Sequence, residues 1–276
     1  MLPVDSCWHK VPNKHALEWW YFTLLCDGGD VLRGRLWVRG DHQDASSCGI
    51  ELHGYPATGE PWELIHDYDR DSFYAERSRE LVMVGASSFE HREEAYYLSV
   101  RRGDFVLNVE AVPLLRWDEP IRYHLNRTHG FLWTVPMLKG RFAGTIQQGT
   151  ASPERPLAGF MFHDHVLSDY VPSLDLFRNY RGWCWGLCYL EDWTALFLAV
   201  DFKRDPIRLA LVADGQGISA RRNPSTMPIQ WTGLNPPRFT IARGSRTQEV
   251  HLSRVYRKQR GGVGRRWREP DRVRRK

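Results

Sequence analysis

Short apolar segments separated by turn residues run through most of the sequence, and this pattern constrains the fold more than any other feature. Segments such as EWWYFTLLC, ELVMVGASSFE, AYYLSVRRGD and TALFLAVDFK alternate or stay apolar, whereas the spacing of an amphipathic helix is almost absent. The intervening CDGGD, RRGD and VADGQG sequences are typical of β-hairpin turns. Many short strands at near-regular spacing favour barrels or sandwiches over a parallel sheet with crossover helices. The sequence therefore predicts an all-β protein.

One polar segment, QQGTASPERP at residues 147–156, is the best candidate for a domain boundary, because it carries two prolines between apolar stretches. We predict an N-terminal β domain at residues 1–148 and a second at 149–256. Residues 257–276 hold ten Lys and Arg against two acidic residues, a net charge of +8, which leaves −3 for the rest of the chain. Such a segment is typical of a disordered, solvated tail. We expect no specific nucleic-acid partner, with weak contact to an acidic membrane surface as the alternative.

The cysteines and the N-terminus bear on the cellular compartment. The five cysteines are scattered, and the pair Cys184 and Cys188 has no second pair to complete a zinc site. The start MLPVDSCWHK lacks a basic region followed by an apolar one, and the longest uncharged apolar run is too short to span a bilayer. We therefore expect a cytoplasmic protein with reduced cysteines.

The segment AGFMFHDHVLSDY, residues 158–170, places three ionisable side chains in an apolar, strand-like run. Side chains two positions apart on a strand project to one face, so His163 and His165 should share a face and Asp164 should project to the other. Core histidines with satisfied hydrogen bonds, a metal site and a proton-transfer site all fit this pattern. A metal site needs a third or fourth ligand, and the spacing of the other histidines does not indicate one. We expect no metal and no cofactor.

The stretches HALEWWYF, LWTVPMLKGRFAGTI and GFMFHDHV follow one another in that order. Together they resemble the carotenoid 1,2-hydratase (hydroxyneurosporene synthase) and AttH-like family, over residues 15 to about 201. The resemblance implies two lipocalin-like antiparallel β-barrels in tandem. It also implies an enzyme that takes a long isoprenoid or polyene into an apolar barrel and protonates a terminal double bond, after which water captures the cation. Relatives with this architecture include cyclases and Diels–Alder-type enzymes.

The sequence departs from the family pattern at two places. The hydratases read Asn-Trp-Gly after the second histidine, where this chain has Val166, Leu167 and Ser168. They also carry a tyrosine two residues before an aspartate on a later strand, where this chain has Ala199 before Asp201. These departures favour a substrate other than a carotenoid.

Protonation of an alkene needs a strong acid in a dry site, and burial raises the pKa of a carboxyl group enough to hold a proton at neutral pH. Aromatic faces can stabilise the resulting cation. The residues assigned to catalysis are His165, Asp164, His163 and Asp201. The residues assigned to substrate contact are Glu18, Trp19, Trp20, Tyr21, Trp133, Trp183, Trp185 and Tyr189.

Four members of the second set have a structural interpretation as well. The alternating rings of Trp183, Trp185 and Tyr189 also fit ordinary core packing. Glu18 is expected to support the barrel through a buried pair with Arg33 or Arg35, because isolated burial of a carboxylate is costly.

These observations predict a cyclase, an isomerase or a hydratase (hydro-lyase) that acts on a large apolar isoprenoid, terpenoid or polyene by acid-assisted protonation. A Diels–Alder-type pericyclase and a non-catalytic lipocalin-like carrier are the alternatives. In each case the expected partner is a hydrophobic small molecule, and the oligomeric state stays open.

Overall fold

The computed structural model describes residues 7–9, 16–39, 47–124, 130–169, 180–189, 193–202, 207–215, 217–221, 229–234, 237–243 and 246–251. Nearly all of them lie in β-strands, and every strand pairing is antiparallel. The all-β prediction is confirmed. The chain divides into two compact units, Met1–Leu174 and Asp175–Lys276.

The first unit contains a curled sheet of eleven strands in the order β4-β3-β2-β1-β11-β10-β9-β8-β7-β6-β5. Consecutive strands form hairpins or short connections, and a single long-range pairing joins β1 to β11. The strands are β1 (Leu17–Cys26), β2 (Val31–Arg39), β3 (Ser47–Tyr55), β4 (Trp62–Tyr68), β5 (Phe73–Ala75), β6 (Leu81–Val84), β7 (Ser87–Arg92), β8 (Ala95–Arg102), β9 (Phe105–His124), β10 (Gly130–Gln148) and β11 (Arg155–Asp169).

Side-chain alternation gives this sheet a core face and an opposite face. In β1, Trp20, Phe22 and Leu24 are buried in a cluster that extends to Phe89 and Met161. Strand β6 lies against β2 and β3, so the two arms of the sheet pack over this one core. We call the surface that carries these residues the core face. The opposite face carries the intervening positions of the same strands.

The second unit consists of two smaller sheets. The first has the order β12-β13-β14-β15 and the second the order β16-β17-β18. Strands β13 and β14 of the four-stranded sheet carry buried side chains, including Leu196 and Leu211, which pair opposite each other. The strands are β12 (Tyr180–Tyr189), β13 (Thr194–Phe202), β14 (Ile207–Asp214), β15 (Gly217–Arg221), β16 (Ile229–Leu234), β17 (Pro237–Arg243) and β18 (Arg246–His251).

The predicted domain boundary lies too early in the chain. Strand β11 pairs with β1 and with β10, so it belongs to the first unit, and the units divide between Leu174 and Asp175. The polar segment at residues 147–156 contains the turn of the β10–β11 hairpin. Glycine, proline and serine favour a hairpin connection as readily as a linker, so composition alone could not separate the two.

Other predictions concern the cysteines, the membrane and the tail. Cys7, Cys26, Cys48 and Cys188, the cysteines with described side chains, are free. Within the described ranges, no helix is long and apolar enough to cross a bilayer. The tail predicted at residues 257–276 lies outside the described residues.

Candidate active site

Strand β11 places its three ionisable residues on two faces of the sheet. His163 pairs opposite Phe22 and His165 opposite Trp20, so both histidines lie on the core face. Asp164 pairs opposite Tyr21 and lies on the opposite face. All three are buried, with Asp164 8% exposed. The alternation predicted for this segment is observed.

Among the described residues, Trp133 is the one hydrogen-bond donor to the carboxyl group of Asp164. Trp133 pairs opposite Val166, which puts its ring on the same face as Asp164, and its Nε1 donates to Asp164 Oδ2 at 3.0 Å. Asp164 Oδ1 is buried and has no hydrogen-bond partner in the described part of the chain. Burial raises the pKa of Asp164 to about 7, although the Trp133 hydrogen bond and the charge of His163 lower it. Near neutral pH this carboxyl group can therefore both hold and release a proton.

The phenol of Tyr21 lies next to Asp164 on the opposite face. Thr23 Oγ1 donates to Tyr21 Oη at 3.3 Å. Burial raises the pKa of Tyr21, the charge of Arg33 lowers it, and Asp164 and Tyr55 raise it further. The phenol is therefore protonated at neutral pH, and it lies within electrostatic range of a guanidinium group on one side and a carboxyl group on the other.

A charged network continues across the opposite face on β2 and β3. Arg35 Nε and Nη2 donate to Glu51 Oε2 at 3.1 Å and 2.7 Å, and His53 Nε2 lies 2.7 Å from Glu51 Oε1. The Arg35 guanidinium also lies over the ring of Trp19, 5.9 Å from its centroid. This network fixes Arg35 and Glu51 against each other.

On the core face, Glu18 pairs with two histidines. Glu18 Oε1 lies 2.9 Å from His165 Nε2 and 3.0 Å from His9 Nδ1, and it accepts the backbone N–H of His9 at 2.9 Å. The prediction that Glu18 pairs with Arg33 or Arg35 is wrong, because the register puts both arginines on the opposite face. Burial raises the pKa of Glu18, but the hydrogen bonds with His165 and His9 lower it more, so Glu18 is ionised.

His163 forms a second carboxyl–imidazole pair on the core face. Its Nδ1 lies 2.9 Å from the carbonyl oxygen of Tyr21, which can only accept a hydrogen bond, so Nδ1 carries a hydrogen. Its Nε2 lies 2.6 Å from Glu80 Oε1, and both side chains are fully buried. One proton therefore lies between His163 and Glu80. The rings of Phe89 and Tyr96 pack on the imidazole, with centroids at 4.4 Å and 5.3 Å.

The group around Glu18 has donor atoms of the kind that bind transition metals. His9 Nδ1, Glu18 Oε1 and His165 Nε2 lie within 4.8 Å of one another. Two imidazoles and one carboxylate suit a divalent transition metal. Both nitrogens are also hydrogen-bond partners of Glu18 Oε1, so this group is already stabilised by its own donors and acceptor.

The remaining assigned residues lie in several places. Trp20 is a core residue that stacks on His165, with centroids 4.8 Å apart. Trp185 and Tyr189 share one face of β12 in the second unit. Trp183 is on the same strand and Asp201 on β13, and their side chains lie outside the described residues.

Several residues of the site escaped the sequence analysis. Glu80 and His163 are 83 positions apart, and no spacing rule connects such residues. His9 lies in a segment without strand periodicity. Arg33 and Tyr55 could have been found, because the alternation in VLRGRLWVR and ELHGY puts each on the same face as Arg35 and Glu51.

The comparisons with known proteins concern the fold. No protein-family model matches the chain, and no curated protein sequence matches it. A crystal structure of a candidate AttH from Nitrosomonas europaea has a TM-score of 0.65 at 16% identity, covering 92% of this chain and 86% of that chain. Kievitone hydratase from Nectria haematococca has a TM-score of 0.54 at 7% identity, covering 90% of this chain and 82% of that chain. At these identities the likeness establishes a shared fold.

Proposed function

We propose that the protein is a hydratase-type enzyme that protonates a carbon–carbon double bond of a large apolar substrate, with Asp164 as the proton donor. The observation that carries the proposal is the buried carboxyl group of Asp164, which has one unpartnered oxygen and a pKa of about 7. The name of the fungal structural neighbour, a hydratase, supports the same reaction class. The resemblance in HALEWWYF and GFMFHDHV supports an isoprenoid or polyene substrate.

The proposed reaction uses the two oxygens of Asp164 differently. Protonated Oδ1 donates its proton to one alkene carbon, and the electron pair of the double bond forms the new C–H bond. The hydrogen bond from Trp133 to Oδ2 stabilises the carboxylate that forms. Water then attacks the cationic carbon and returns a proton to Asp164, which regenerates the acid. Attack by a second double bond of the substrate instead of water closes a ring and moves the positive charge to another carbon, and loss of a proton from the adjacent carbon to the Asp164 carboxylate then gives a cyclic isomer and regenerates the acid.

Aromatic rings on the opposite face can stabilise the carbocation that protonation produces. Trp19 and Trp133 pair opposite the same residue of β11, Val166, and flank it from the two neighbouring strands. The face of an aromatic ring attracts a cation through its quadrupole, and indole does so most strongly. A carbocation that forms near Asp164 would therefore lie close to two indole rings.

The core-face histidines act as supports in this proposal. His163 is held by Glu80 and by the Tyr21 carbonyl, and His165 by Glu18. Because both histidines are hydrogen-bonded and buried among core side chains, they fix the backbone of β11 on either side of Asp164. The catalytic group then lies on one face of the strand and its supports on the other.

Turnover in isotopically labelled water tests the proposal. The protein is incubated with farnesol, neurosporene and lycopene in H₂¹⁸O, and products are measured by mass spectrometry. We expect a labelled hydrate, or an unlabelled cyclic isomer, and a loss of roughly 10²–10⁴-fold in rate for Asp164→Asn. Asp67→Asn, at an exposed position of β4, is the control and should keep the wild-type rate. Normal turnover by a folded Asp164→Asn variant would exclude Asp164 as the donor.

A further inference from the structure

Three arginines on the opposite face of β2 differ in how their charge is balanced. Arg35 pairs with Glu51 through two hydrogen bonds. Arg39 is exposed, so water hydrates it. Arg33 is partly buried, and its guanidinium group has no hydrogen bond or ion pair to any described residue. The guanidinium carbon lies over the ring of Tyr55, 5.1 Å from its centroid. A partly buried cation without a carboxylate partner retains an unused capacity to bind an anion.

Arg33 lies on the same face of the sheet as the proposed acid, with strand β1 between them. Arg33 pairs opposite Thr23 on β1 and opposite His53 on β3. Thr23 donates to the phenol of Tyr21, and Tyr21 lies opposite Asp164. The phenol therefore lies between the guanidinium group of Arg33 and the carboxyl group of Asp164, and both groups influence it electrostatically. The three side chains form one continuous polar strip on this face.

We propose that Arg33 binds an anionic oxygen of the substrate, a carboxylate or an enolate, and so orients the apolar part toward Asp164. The proposal rests on the proposed function and names its substrate class as an apolar chain that ends in an acidic head group, rather than a pure hydrocarbon. A guanidinium group suits this role because its planar N–H donors match a carboxylate in pairs.

A matched pair of ligands tests the head-group site. Farnesoic acid and farnesol carry the same isoprenoid chain and differ in the terminal group. Their binding to the full-length protein is measured by tryptophan fluorescence at pH 7.5, below the concentration at which either aggregates. We expect the wild type to bind the acid at least ~10-fold more tightly than the alcohol, the gain of one charge-assisted contact. Arg33→Gln should bring the affinity for the acid down to that for the alcohol, which should itself stay unchanged.

The controls distinguish Arg33 from positive charge in general. Arg39→Gln removes an exposed arginine of the same face and should preserve the preference for the acid. Arg33→Lys should retain part of it, because charge remains while the paired donors are lost. Equal affinities in the wild type, no binding of either ligand, or a preference that survives Arg33→Gln in a variant with wild-type circular dichroism would each overturn the proposal.

The binding test is independent of turnover. A preference for the acid that depends on Arg33, together with normal turnover by Asp164→Asn, would leave the head-group site standing and remove the proposed reaction. Loss of turnover in Asp164→Asn, with equal affinities for farnesoic acid and farnesol, would support the proposed reaction and exclude the head-group site.

Discussion

At the scale of single residues, three buried carboxyl groups of the first unit differ in their partners, and the partners decide what each can do. Glu18 accepts hydrogen bonds from two histidines, so it is ionised. Glu80 shares one proton with His163. Within the described part of the chain, the hydrogen-bond partner of Asp164 is the neutral indole of Trp133, and burial raises the pKa of Asp164 to about 7. Of the three, Asp164 is thus the group that can transfer a proton to a substrate at neutral pH.

The raised pKa of Asp164 predicts a pH dependence of stability. The pKa of Asp164 is about 7 in the folded state and 3.8 in the unfolded state, so between these pH values only the folded state binds the proton. The proton therefore stabilises the fold fully below about pH 4, and this stabilisation is lost as the pH rises through 7. Asp164→Asn removes it. Urea unfolding at pH 4.5, 6 and 8 should show the variant gaining stability relative to the wild type as the pH rises, on the order of 2–4 kcal/mol in all. A difference that does not vary with pH would contradict the raised pKa.

The pair of Glu80 and His163 predicts a large loss on truncation. Glu80→Ala leaves the buried His163 Nε2 without its partner, which should lower the free energy of unfolding by about 3–5 kcal/mol. Glu76→Ala is the matched control, because Glu76 pairs with Arg79 at the surface and its loss should barely change the free energy of unfolding. Urea unfolding at pH 7 measures both. Equal stability of the two variants would mean that the pair contributes nothing to the fold.

At the scale of elements, alternation was predictable and pairing partners were not. The sequence predicts that His163 and His165 share a face of β11, because the period of two is a local property of an extended chain. It does not predict that β11 pairs with β1, since these are the first and the last strand of the unit in the sequence, and many other strands could pair with β1 instead. The predicted domain boundary and the predicted partner of Glu18 were both wrong because the pairing of strands that are distant in the sequence could not be predicted.

Gly159 tests the β1–β11 pairing directly. A Cβ atom at this position would lie 2.1 Å from the carbonyl oxygen of Leu25 and 2.9 Å from the Cα of Cys26, so the two strands would have to separate. Gly159→Ala should cost about 1–3 kcal/mol and increase amide exchange in β1 and β11. The control Gly28→Ala lies in the turn after β1, where a Cβ meets nothing within 4 Å. If the two variants are equally stable, the strands are not held as closely as described.

At the scale of the whole molecule, the aromatic residues of the first unit serve two purposes. Trp20, Phe22 and Phe89 fill the core. Trp19 and Trp133 lie on the opposite face with Asp164, where they contribute to the proposed site instead. Composition could predict an aromatic-rich interior or an aromatic-lined ligand site, and only the strand register assigns each ring to one of the two.

The first unit should fold without the rest of the chain. The main cluster of buried apolar residues in the described part of this unit runs from Trp20 to Met161, and the eleven strands of its sheet come from residues 17–169. A domain with its own core can fold independently, so a fragment of residues 1–174 should give a β-type circular dichroism spectrum and one cooperative unfolding transition.

Glu80→Ala provides an internal control in that fragment, because its loss of stability should match the loss in the full chain when the core is the same in both. A fragment that unfolds without cooperativity, or in which Glu80→Ala has no effect, would show that the remaining residues are needed to form the first core. In that case the burial of Asp164, and with it the acid on which the proposed function rests, would depend on the whole chain rather than on the eleven-stranded sheet.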